Sequence, residues 1–164
     1  MKRPILVLLI AGLLMGASLA GERQPPSLQG VWQAVEITIP GPVKQTITIS
    51  EPRPNLMVIT ARHYSRVQVE TERTRPAVAD VTKASADDLR AAWGPFYAEA
   101  GTYEVAGNLI TLKPTAAKNA AAMMPEAFTT WAFERDRDTL RVTADHDQRG
   151  PIANPPTIAF VRIE

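Results

Sequence analysis

The sequence predicts an all-β protein, an antiparallel up-and-down barrel of eight or nine strands with one short helix. Three observations carry this. Short apolar segments with period-two alternation recur along the chain, 14 prolines and many turn residues separate them, and no long helical period interrupts the pattern. Short connections between consecutive strands make a meander, and closing the meander removes its exposed edges.

The chain begins with a segment that stands apart from this pattern. Lys2 and Arg3 precede an apolar run from Ile5 to Met15, and Gly16, Ala17, Ser18 and Ala20 follow. Charged, apolar and small residues in that order form a secretory signal peptide with cleavage expected after Ala20. The run is too short for a spanning helix, which needs about 20 apolar residues. The expectation is a periplasmic or secreted protein whose mature part, residues 21–164, is one domain. A chain of that size buries roughly 68% of its unfolded surface without covalent staples. It contains no cysteine, which excludes disulfides, thiolate metal sites, a thiol nucleophile and a lipid-bearing cysteine.

Elements follow in order. Residues 21–27 are a polar, proline-containing lead-in. From Leu28 the chain alternates, with Val31, Val35, Ile37 and Ile39 on one face and Trp32, Ala34, Glu36 and Thr38 on the other. Pro40-Gly41-Pro42 ends that strand. Ile47 and Ile49 mark a second short strand or edge piece, closed by Glu51-Pro52-Arg53-Pro54. Residues 55–60 form a continuous apolar strand. The strand 63–70 sets Tyr64, Arg66, Gln68 and Glu70 on one face and His63, Ser65, Val67 and Val69 on the other. Residues 71–84 are polar and weakly patterned, a loop.

Ser85 followed by Asp87 and Asp88 reads as a helix N-cap with acids in the first turn. Leu89, Ala92, Trp93 and Phe96 continue at helical spacing, and Gly94-Pro95 ends a helix at about 85–93. A hairpin comes next, 101–105 and 109–112 around Ala106-Gly107-Asn108, where Gly and Asn tolerate positive φ. Residues 115–127 suit one helical turn before Pro125. Strands 128–135 and 139–143 join at Asp136-Arg137-Asp138, and a last strand covers 157–163.

Gly30-Val31-Trp32 at the start of the first strand resembles the Gly-x-Trp signature of lipocalins. The resemblance implies that Trp32 plugs one end of a barrel and that an arginine from the far end of the chain packs over it. Arg162 in the last strand is the candidate, with Arg149 the substitute. Nearly the whole mature chain is similar to a group of small secreted bacterial proteins described only as lipocalin-like. The shared segments are Ile59-Thr60 with His63-Tyr64-Ser65, Trp93-Gly94-Pro95-Phe96 with Gly101-Thr102-Tyr103-Glu104-Val105, and Ala117-Lys118-Asn119. Gly150-Pro151, Asn154-Pro155 and Val161-Arg162 complete the set. This resemblance implies a fold and no particular ligand.

An eight-stranded barrel is either filled by its own side chains or holds one small ligand. If Tyr64, Arg66, Tyr103 and Trp131 converge inside, they form an aromatic wall with an arginine to orient an anionic or other polar end. Trp93 and Phe96 would then lie near the mouth. The competing reading is a solid core with Arg66 and Glu70 in water, and one residue of register separates the two. The helix is expected to pack on the outer wall rather than over the mouth.

Other chemistry finds little support. His146 sits between Asp145 and Asp147 in an expected loop, without a second histidine at ligand spacing. His63 stands alone at a strand start. No nucleophile–base motif, paired-carboxylate pattern or phosphate loop stands out, so no cofactor, metal or catalytic residue is assigned. The expected mature chain has 16 basic and 17 acidic residues. That balance gives bulk attraction to neither nucleic acid nor an anionic membrane. The expected function is reversible binding of a small, largely apolar or amphiphilic molecule. A protein-binding or inhibitor module with a filled barrel, acting through loop 70–84, is the alternative. An isomerase- or cyclase-type enzyme is third.

Overall fold

Short connections and alternating strands build a single antiparallel sheet. In a computed structural model, which describes residues 27–40, 45–48, 55–71 and 73–164, the strands in chain order are β1 (Gly30–Ile39), β2 (Gln45–Thr48), β3 (Asn55–Ile59), β4 (His63–Val69), β5 (Phe96–Ala106), β6 (Leu109–Ala117), β7 (Thr129–Asp136), β8 (Thr139–Asp147), β9 (Gly150–Pro151) and β10 (Thr157–Arg162). One helix, α1 (Ala86–Trp93), precedes β5, and a 3-10 turn covers Ala120–Met123. The expected signal segment and the proline breaks at 41–42 and 51–54 lie outside the described residues, as does Ile49.

Eight strands close the barrel in the order β1-β3-β4-β5-β6-β7-β8-β10, with β10 returning to β1. β2 and β9 are additions that pair with β1 and β8. One end carries tight turns: residues 60–62 between β3 and β4, 107–108 between β5 and β6, and 137–138 between β7 and β8. Gly107 takes φ 60° in the second of these, as its turn requires. The other end carries every long connection, including α1 and the 3-10 turn.

The tight-turn end is plugged as the resemblance implied. Trp32 is fully buried and stands opposite Arg162 in the β1–β10 register. The Arg162 guanidinium lies 5.0 Å from the Trp32 ring centroid and Arg135 lies 5.6 Å from it. Trp32 Nε1 donates to Leu28 O at 2.9 Å, so the indole is satisfied as well as buried. Gly30 has φ 142°, and a Cβ there would meet Glu164 O at 2.8 Å and Arg162 Cζ at 3.2 Å. Only glycine admits that close approach. Arg149 instead pairs with Asp147 at 2.6 Å.

Four sequence expectations need correction. The first strand does not keep one apolar face, because a bulge between Ala34 and Glu36 shifts its register. Trp32 and Ala34 face the core before the bulge, and Ile37 packs on the core after it. An extra residue flips parity, which simple alternation cannot anticipate. The strand expected at 101–105 begins at Phe96, so Phe96 is not helical. The strand expected at 139–143 runs on to Asp147, so His146 is a strand residue. There it accepts or donates at 2.7 Å with Asp145 Oδ2 and meets the Phe128 ring edge-on at 5.6 Å. Finally, Glu70 is exposed while Arg66 is not, so the two do not share one environment.

Candidate functional site

The period-two alternation of β4 aims Tyr64 and Arg66 into the barrel. Tyr64 is buried, and the Arg66 side chain is 13% exposed. The register with β5 sets Glu99 directly opposite Arg66, Tyr97 opposite Gln68 and Gly101 opposite Tyr64. Arg66 Nη2 lies 3.6 Å from Glu99 Oε1, with Glu99 only 8% exposed. The guanidinium is also 4.4 Å from the Tyr97 ring centroid and 5.7 Å from that of Trp131. An arginine lying over aromatic faces and paired to a carboxylate is a well-held cation.

The structure therefore brings together Tyr64, Arg66 and Trp131 from the expected set. It adds Tyr97 and Glu99, which the sequence reading left out because it began the strand at 101. The alternation Tyr97-x-Glu99-x-Gly101-x-Tyr103 immediately after Pro95 was the signal that could have found them. Tyr103 is placed elsewhere. It packs against the core, and its hydroxyl donates to Thr60 O at 2.7 Å in the tight-turn end.

Trp93 and Phe96 sit together at the outside of the loop-bearing end. Their rings meet edge-to-face at 6.5 Å, and Arg75 lies 5.0 Å from the Phe96 centroid. Trp93 is half exposed. The helix between them and loop 70–84 is held by its C-terminal carbonyls. Arg75 Nε donates to Ala92 O at 2.6 Å. Lys118 Nζ donates to Gly94 O at 2.9 Å, to Phe96 O at 2.6 Å and to Trp93 O.

Burial shapes the electrostatics. It pushes the Tyr97 hydroxyl up to about 12 and raises Tyr64 well beyond the usual phenol range, with the Glu99 charge adding to both. Both phenols are thus neutral donors. Among the described residues, neither Tyr64 Oη nor Arg66 Nε has a hydrogen-bond partner, although both are buried.

The lumen itself is almost filled. A cavity of about 20 Å³ is left, counted as room for the centre of a water molecule, and it is walled by Arg66, Trp131, Leu112, Phe133 and other apolar side chains. That is space for a water or two and not for a fatty acid. A larger recess of about 250 Å³ opens at the loop-bearing end, bordered by Tyr97, Glu99, Asn119, Phe128, Thr129 and Asp147. Glu99 and Tyr97 belong to its lining, and Arg66 pairs with Glu99. Among the described residues no three of His, Asp and Glu come together as a metal set. No described helix is long and apolar enough to cross a membrane.

A lipocalin-like protein from Bacteroides uniformis is similar in structure, with 14% identity and a TM-score of 0.47 over 83% of this chain and 98% of that one. An uncharacterized protein from Bacteroides eggerthii is similar at 9% identity and a TM-score of 0.43, over 83% of this chain and 99% of that one. No protein-family model matches the chain, and no curated protein does. The strand order by itself makes the fold a closed antiparallel barrel.

Proposed function

We propose that this protein is exported and reversibly binds a small molecule at the loop-bearing end of its barrel. Tyr97 and Glu99 would meet the ligand, with Tyr64, Arg66 and Trp131 below. The observation that carries this reading is a buried charged cluster holding two unpartnered donors, whose members Tyr97 and Glu99 border a 250 Å³ recess. A buried ion pair adds little stability by itself, and perturbed polar groups beside a concave recess are candidate binding sites. The recess is just under the usual 300–1,000 Å³ of ligand pockets, so the ligand is small and only its tip reaches inward. The expected apolar guest enclosed in the lumen gives way to a guest seated at the mouth.

A fragment screen followed by amide NMR mapping tests the proposal. Shifts confined to Tyr97, Glu99, Phe128 and Asp147 support it. Fragments that bind nowhere in the recess sink it.

The filled lumen also favours a second reading, a protein-binding module that uses loop 70–84. Val81 is exposed there and Trp93 is exposed on the adjoining helix α1, which Arg75 of the loop holds through Ala92 O. A partner protein whose footprint covers Val81 and Trp93, with no fragment in the recess, would select it.

A further inference from the structure

The position that an anionic ligand would take on Arg66 is already filled by Glu99. Resting on the binding site proposed above, we propose that it selects neutral ligands bearing a hydrogen-bond acceptor, such as an amide or ketone oxygen on a flat apolar body, and rejects carboxylates.

The charges around the site support this. Arg66 and Glu99 form one pair at 3.6 Å, and Asp147 and Arg149 form another at 2.6 Å on the rim. A third cation, Lys118, borders the neighbouring recess with Glu70 and is engaged by three backbone carbonyls. Among the described residues, each cation bordering these two recesses is therefore already engaged. A ligand carboxylate would sit beside Glu99 in a poorly solvated site, where like charges repel strongly.

The unmet hydrogen bonds point the same way. Arg66 Nε and Tyr64 Oη are both donors and both buried without partners. A guanidinium has five N–H groups and no acceptor, and a neutral phenol donates one hydrogen. What the cluster lacks is an acceptor, not a charge. The 20 Å³ cavity beside Arg66 and Trp131 has room for one oxygen atom. Tyr97 and Phe128, which border the recess, supply aromatic faces for the rest of the molecule.

Matched pairs of one shape and different charge test the inference: benzamide against benzoate, and 2-naphthamide against 2-naphthoate, with 2-naphthylmethylamine as the cationic control. Binding is read by NMR titration at pH 7.5. The expected result is that each amide binds wild-type protein at least tenfold more tightly than its carboxylate. Glu99→Gln removes the resident negative charge and should narrow or reverse that gap by at least tenfold. Tyr64→Phe should weaken the amides several-fold. A carboxylate that binds wild-type protein as tightly as its amide overturns the selectivity, whether or not the variants fold. Preference for the cationic control overturns it too, while leaving the binding site standing. If no compound of the set binds in the recess, both the selectivity and the site fall.

Discussion

Trp32 shows how one side chain joins the two ends of the chain. Its ring is buried, hydrogen-bonded to Leu28 O and covered by Arg162 and Arg135. Trp32→Ala should cost about 3–5 kcal/mol, whereas Arg162→Ala should cost about 0.5–2 kcal/mol for the lost cation–π contact. Urea denaturation of the two variants checks the order. The Arg66–Glu99 pair makes a different prediction. Removing one partner strands a buried charge, so Arg66→Met should destabilise by about 3–5 kcal/mol. Arg66→Met with Glu99→Leu should recover much of that loss, and a double-mutant cycle measures the recovery. The three tyrosines add a pH dependence. Tyr64, Tyr97 and Tyr103 are all raised, chiefly by burial, and Tyr97 moves from 10 to about 12. A folded-state pKa above the unfolded one leaves stability whole below pH 10 and drains it as pH climbs toward 12. Phenolate absorbance at 295 nm should therefore rise later in native than in urea-unfolded protein. Tyr97→Phe should soften the alkaline loss without abolishing it. Arg162 over Trp32 was readable in the sequence through a known signature. Glu99 was not, because a lone Glu carries no mark of facing inward until its strand is placed.

At the scale of elements, two local devices set the geometry. Asn55 clips the bulged region of β1, its Oδ1 accepting from Ala34 N at 2.7 Å and its Nδ2 donating to Ala34 O at 3.2 Å. Asn55→Ala should cost about 1–3 kcal/mol, since it leaves part-buried backbone groups unmet, and thermal melting would register it. Helix α1 was legible at the residue level. Ser85 Oγ accepts from Asp88 N, and Asp88 Oδ2 accepts from Ser85 N, both at 3.1 Å, so the N-cap its sequence announced is completed as a reciprocal capping box. Its attachment was not legible, because Lys118 is 25 residues from Trp93 and no pattern links them. Lys118→Met should free the helix C-terminus. Amide exchange across residues 86–93 should then quicken while the barrel strands keep their protection. β5 was cut short for a related reason: Trp93 and Phe96 share helical spacing, and Gly94-Pro95 between them ends the helix and begins the strand within two residues. That misplacement hid half of the polar cluster.

For the whole molecule, strand count, closure and the single helix followed from period-two runs and turn residues, since those signals are local. How full the interior is did not follow. It depends on the volumes of side chains from all eight strands at once, and on two further register shifts, in β5–β6 and β7–β8, that no local pattern reveals. Export remains a proposal at this scale, and protein recovered from the cell envelope should begin at Gly21 by N-terminal mass spectrometry.

The seam between β1 and β10 is made by the first and last strands of the barrel, and β10 also pairs with β8. A chain stopped before Thr157 would leave two raw margins, one on β1 and one on β8, each offering unmet amides to another molecule. The ring is thus an all-or-nothing assembly in which the final eight residues act as a latch. Shortened products should self-associate rather than survive as smaller soluble barrels.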